Sequence, residues 1–171
     1  MGAGISPTLF RGIIHDLSRS IQDPVSPLSL TLPCDDRQAG LLRVRIRDWC
    51  GRAHLGADLR EDALIIASEL FSNAVRAAAT ATTVGVLLIH ERDTVTVSVA
   101  NSGPPFALAD IAPPSAHRAG GRGIAIARTL GAVFVEHSNG ITVVRVVLVK
   151  PGGSGGPRPI SRRTVRPRRG V

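Results

Sequence analysis

From about Arg60 to Ala79 the apolar residues return every three or four positions. Leu64, Ala67, Leu70, Phe71, Ala74, Val75 and Ala78 form that series, and the beat predicts a long amphipathic helix beginning near Asp58. Beyond it the pattern changes to β-branched runs. Thr82 to His90 and Thr94 to Ala100, separated by Glu91-Arg92-Asp93, predict an antiparallel hairpin. In the second run Val95, Val97 and Val99 alternate with Thr94, Thr96 and Ser98, which predicts one buried face. A last hairpin is expected from Val133 to Glu136 and Ile141 to Val149, turning at Ser138-Asn139-Gly140.

Before the central helix, Leu28 to Leu32 reads as a short strand closed by Pro33. Asp35 or Asp36 is placed to cap a following helix in which Leu41, Leu42, Val44 or Arg45, and Trp49 keep a helical beat to about Cys50. After the middle hairpin, residues 104–120 hold four prolines and no clear period, as expected of a long functional lid. Gly120-Gly121-Arg122-Gly123 then opens a short helix, Ile124 to Leu130, with Gly131 as its expected C-cap. The order is strand, helix, helix, two strands, lid, helix, two strands. Hairpin pairing of that kind predicts an α/β two-layer sandwich, a mostly antiparallel sheet with helices on one face. A doubly wound parallel fold is disfavoured, because strand and helix cease to alternate after the central helix.

Composition narrows the class. The 171 residues suit one domain with tails, and 43% hydrophobic content is enough for a core. Aromatics are only 3%, so that core is aliphatic. No apolar run reaches the roughly 18–20 residues of a membrane span, and Met1 to Leu9 does not read as a secretory signal. Cys34 and Cys50 are far apart, with no CxxC pair and no histidine at ligand spacing. Reduced thiols in a cytoplasmic setting are the expectation. The net charge is +8, but residues 151–171 hold six arginines and no acid, which leaves 15 basic and 13 acidic residues, or +2, for the rest. The expected organisation is a loose leader over residues 1–27, one domain over 28–150, and a disordered basic tail over 151–171. The tail suits either an anionic partner such as nucleic acid or a solubilising end; with no aromatic among its arginines, the second reading is favoured.

Chemistry concentrates on the central helix. Glu69, Asn73 and Arg76 are four and then three residues apart, which stacks an acid, an amide and a guanidinium on one face beside the apolar stripe. By itself the trio also suits a solvated face of an ordinary helix. Two further features follow it: a strand ending Asn101-Ser102-Gly103, and a Gly121-Arg122-Gly123 that opens a helix behind the long loop. Glycines there admit close backbone approach, and a helix N-terminus offers N–H groups to phosphate. The chain has no GxxxxGK[ST] element, and its Gly-x-Gly follows a loop rather than a strand, so neither a P-loop nor a dinucleotide fingerprint fits.

Together these residues resemble the Bergerat-fold ATPases, the superfamily of histidine kinases, gyrase, Hsp90 and MutL. The likeness spans about Leu28 to Lys150 and is nearest to the small anti-sigma-factor serine/threonine kinases. Glu69-Leu70-Phe71-Ser72-Asn73-Ala74-Val75-Arg76 looks like their N-box. The resemblance implies that Asn73 coordinates Mg²⁺ and that Glu69 is the general base. It leaves Arg76 with two roles, steadying phosphate or pairing with Glu69. Asn101 to Gly103 looks like the first glycine box, where the family usually carries Asp-x-Gly and the Asp accepts from the adenine amino group. Asn101 keeps an acceptor oxygen without the charge, so weaker adenine affinity is expected. Gly121, Arg122, Gly123 and Ile124 look like the second glycine box, which holds phosphates. Gly140-Ile141-Thr142 resembles the late Gly-Thr element, whose hydroxyl approaches adenine; a β-branched strand residue explains Thr142 equally well.

The chain shows no His-bearing dimerisation hairpin ahead of the ATP-domain pattern, and His15 reads as incidental. The resemblance therefore implies a phosphoacceptor Ser or Thr on an anti-anti-sigma protein, a sigma factor as alternative ligand, and a homodimer as one assembly to test. A non-catalytic module that sequesters a partner is the competing expectation.

Overall fold

Five runs rich in Val, Ile, Leu and Thr become one sheet. The computed structural model describes residues 25–78, 81–104 and 122–149. Strand β1 spans Leu28–Pro33, β2 Thr83–Glu91, β3 Thr94–Asn101, β4 Gly131–Ser138 and β5 Ile141–Val149. Their order is β1-β2-β3-β5-β4, and every neighbouring pair is antiparallel. Helices α1 (Ala39–Arg52), α2 (Ala57–Ala77) and α3 (Arg122–Leu130) complete the described elements. The architecture is the expected two-layer α/β sandwich. Residues 1–24 of the leader, 105–120 of the lid, Gly121 and the tail lie outside the described residues.

The core forms where the helices meet one sheet face. Leu59, Ala63, Ile66, Ala67, Leu70, Phe71 and Ala74 of α2 are buried. They pack with Val84, Val86 and Leu88 of β2, Val95, Val97 and Val99 of β3, and Val146 and Leu148 of β5. These are residues i, i+2, i+4 on each strand, as the pleat requires. The expected stripe of α2 is thus rotated slightly. Leu64 and Val75 pack only at its border, and the helix begins at Ala57, one residue before the expected start.

Helix α1 differs more. It buries Leu42, Ile46, Trp49 and Cys50, whereas Leu41 and Val44 are exposed. The contact angle on α2 selects the i, i+4, i+7 row and leaves those two outside. Trp49 is fully buried, and its Nε1 donates to the Ser26 carbonyl at 2.9 Å. Asp35 caps a short 3-10 turn, Asp36–Gln38, rather than α1 itself, accepting from the Arg37 N–H.

Two sequence expectations are corrected on the sheet. Strand β3 is buried on both faces near its end, since Ser98 and Ala100 are buried as well as Val97 and Val99. It is the central strand, flanked on the second face by Leu87 and Val143. Gly131 is not a helix C-cap. It is the first residue of β4 and has no positive φ. A Cβ there would lie 2.3 Å from the Val147 carbonyl oxygen, so close strand approach, not a left-handed turn, is what calls for glycine. The Asn139-Gly140 turn does need positive φ: 51° and 74° are the values of a two-residue type I′ hairpin.

Candidate nucleotide site

Strand β3 runs out at Asn101, β5 starts beside it at Ile141, and β4 finishes at Ser138. The register Asn101↔Thr142 and Thr142↔His137 puts three polar residues in one row at this end of the sheet. They share the helix-facing side, because Val99 and Val144, two residues away on β3 and β5, pack on the core. The C-terminal third of α2 ends over the same place. Helix α3 leads directly into β4 at the opposite, Leu148 end, so its first turn starts nearer the Asn101 end.

One hydrogen bond ties helix to strand. Asn101 is buried, and its Nδ2 donates to the Ala74 carbonyl of α2 at 3.1 Å. That carbonyl can only accept, which fixes the amide: nitrogen toward α2, oxygen away from it. The Oδ1 atom has no hydrogen-bond partner among the described residues. Gly103 closes over this amide. A Cβ on Gly103 would come within 2.7 Å of Asn101 Nδ2, so the glycine of the Asn-x-Gly element is needed for space.

Thr142 is 2% exposed. Its hydroxyl lies 2.8 Å from His137 Nδ1, and it donates over longer distances to the Gly103 and Pro104 carbonyls, 3.4 and 3.3 Å. A nucleobase would reach this row by taking over from those two weak contacts.

On α2, Glu69 and Asn73 are half-buried. Arg76 donates from Nη2 to Asn73 Oδ1 at 2.5 Å. It pairs with the amide and not with Glu69, which makes no hydrogen bond or ion pair among the described residues. Turned toward a guanidinium, the Asn73 oxygen already faces positive charge. With that guanidinium withdrawn, the amide oxygen suits a hard cation that draws most of its ligands from phosphate and water. Among the described residues no three His, Cys, Asp or Glu side chains are placed to hold a metal ion by themselves.

The second glycine box is described only in part. Arg122 opens α3, but the side-chain surroundings of Arg122 and Gly123 lie outside the described residues. Ile124 is buried in the core, so any ligand contact from it falls to its backbone. A shallow surface hollow lies away from this row, between the end of α3 and strands β4 and β5, lined by Arg128, Gly131, Ala132 and Val147.

Cys34 lies against this end of α2, its Sγ donating to the Val75 carbonyl at 3.9 Å. Burial pushes the Cys50 thiol up to about 11. Burial and then the Asp36 and Asp35 carboxylates raise that of Cys34.

His137 is the residue that motif reading missed. Its signal was available: counting outward from the two-residue Asn139-Gly140 turn pairs 138 with 141 and 137 with 142.

The arrangement of acid and amide on a helix, beside an Asn-x-Gly strand end, agrees with a comparison of families. The histidine kinase-like ATPase domain matches residues 32–148. The chain belongs to that family. The match runs from the end of β1 through β5 and includes every element described above except the start of β1. No curated protein matches the sequence. Among solved structures, the RsbU and RsbW domains of Rv1364c from Mycobacterium tuberculosis superpose with a TM-score of 0.57 at 21% identity, covering 74% of this chain and 32% of that one. This protein thus spans about a third of that structure's length. The Acinetobacter baumannii histidine kinase AdeS gives a TM-score of 0.42 at 12% identity, covering 87% of each chain. The first of these shows a shared fold. No helix among the described residues is long and apolar enough to cross a membrane.

Proposed function

We propose that this ATPase-family domain is an ATP- and Mg²⁺-dependent protein serine/threonine kinase of the anti-sigma type. In this reading it acts in the cytoplasm on a Ser or Thr of an anti-anti-sigma partner and has a sigma factor as its alternative ligand. The observation that carries the reading is the Asn101–Ala74 hydrogen bond, which joins the base-reading strand end to the helix of Glu69 and Asn73. The structural neighbour with an RsbW domain supports the fold that this reading requires.

Roles follow from chemical type. Asn73 holds Mg²⁺ through Oδ1, and Arg76, released from that oxygen, moves its charge to phosphate. Held there, Mg²⁺ would supply neutralisation of charge on the transferred phosphoryl group. Glu69, without a partner among the described residues, takes the proton of the attacking hydroxyl. Asn101 and Thr142 face the nucleobase, and the amides that open α3, with Gly121, Arg122 and Gly123, hold phosphates. The test is phosphosite mapping on partners captured with and without ATP, followed by transfer assays. Glu69→Ala is expected to abolish transfer and leave Mg²⁺-ATP binding near wild type. Full transfer by that variant removes Glu69 from the base role.

A second reading has a specific observation behind it. Asn101 lacks the family's usual carboxylate, and Asn73 Oδ1 is engaged by Arg76, as in a module that sequesters its partner without catalysis. Calorimetry with millimolar Mg²⁺-ATP separates the two, since absence of binding selects the second.

A further inference from the structure

Thr142 has one proton to donate. The Gly103 and Pro104 carbonyls only accept, so the Thr142 hydroxyl proton points to them. Toward His137 Nδ1, at 2.8 Å, the same oxygen is the acceptor when Nδ1 carries the hydrogen, and its own proton stays with the carbonyls. With the opposite tautomer the hydroxyl would turn to the ring and donate nowhere else. His137 therefore decides whether Thr142 presents a donor or an acceptor to anything that replaces the two carbonyls.

The neighbouring residue supplies the complementary half. Asn101 is Thr142's cross-strand partner, and its amide is fixed with Oδ1, an acceptor, turned away from α2. An acceptor beside a donor matches the edge of adenine, which presents an amino donor next to a ring-nitrogen acceptor. Guanine presents two acceptors at the equivalent major-groove edge.

We propose that His137 is a positioning residue for nucleobase recognition: its Nδ1–H holds the Thr142 hydroxyl in the donor orientation that an adenine ring nitrogen requires. This rests on the nucleotide-site reading above. His137 is exposed at the end of β4, so it reaches Thr142 from the rim and acts on the base only through that hydroxyl.

A double-mutant cycle on the full chain tests the idea, with Mg²⁺-ATP affinity read by calorimetry. His137→Ala is expected to weaken ATP about 3- to 10-fold, the worth of one neutral hydrogen bond. His137→Asn, whose amide N–H stands where Nδ1–H stood, is expected to recover most of that loss. Thr142→Val is expected to cost a similar factor, and His137→Ala is expected to add nothing on top of it. Imidazole ¹⁵N shifts of the wild type are expected to show a protonated Nδ1. Unchanged affinity in His137→Ala, losses that multiply in the double variant, or an unprotonated Nδ1 each overturn the assignment and leave the nucleotide site standing. A wild-type protein that binds no ATP overturns the site reading and this assignment with it.

Discussion

Replacing Asn101 by aspartate would restore the residue that related ATPases usually carry there, and the expected gain is tighter adenine binding. The structure predicts a loss of stability instead. Asn101 Nδ2 donates to the Ala74 carbonyl at 3.1 Å in a position only 6% exposed. A carboxylate would set an acceptor against that acceptor. Leaving a buried carbonyl unpaired costs about 1–3 kcal/mol, with more for a buried charge. At roughly 3–5 °C per kcal/mol for a domain of this size, Asn101→Asp should melt about 3–15 °C below wild type near pH 8.

The deficit should depend on pH. Once protonated, the introduced carboxyl can donate to Ala74, so the folded state raises its pKa above the unfolded value. The folded protein then holds a proton that the unfolded chain has given up, and stability falls as pH rises through that range. Thermal melts at pH 5 and pH 8, followed by circular dichroism, should show the larger deficit at pH 8. A variant as stable as wild type at pH 8, or one destabilised equally at both values, would refute the bond geometry. Calorimetry on the same samples reads the effect on ATP separately.

Gly131→Ala should destabilise by roughly 1–3 kcal/mol, because the new methyl meets the Val147 carbonyl and edge strand β4 must shift to admit it; urea unfolding measures it, and a neutral result would mean the β4–β5 approach is looser. Cys50, with its thiol raised to about 11 by burial, should resist alkylation at pH 8 until the protein unfolds, with half-buried Cys34 reacting first; mass spectrometry of iodoacetamide adducts checks the order, and early Cys50 labelling contradicts it. Because folding raises the Cys50 pKa, its contribution is intact below the unfolded thiol pKa and declines above about pH 9, a trend visible as a falling melting temperature between pH 8.5 and 10.5 that Cys50→Ala should blunt.

Much of the fold can be read from periodicity. The Glu69–Arg76 helix, both hairpins and the Asn139-Gly140 turn announce themselves through spacing that depends on one segment at a time. What escapes depends on two segments meeting. Gly131 looks like a cap because it follows a helix, yet the reason for it sits on Val147, in the partner strand. Leu41 and Val44 look like core because they are apolar, but α2 decides which row of α1 is covered. Asn101 is visible as a departure from a motif, whereas its bond to Ala74 spans 27 residues of chain and follows from tertiary packing alone. Arg76 is expected at phosphate or at Glu69, and the partner it takes is Asn73, one turn back on its own helix.

Trp49 is the sole tryptophan of a chain without tyrosine, and its indole N–H is held by the carbonyl of Ser26. Near-ultraviolet excitation therefore addresses almost a single chromophore, one whose emission colour senses whether the stretch just ahead of β1 keeps its seat on α1. Nucleotide or partner titrations can be followed through that intrinsic light without attaching a dye, and a red shift would localise any rearrangement to this corner of the molecule.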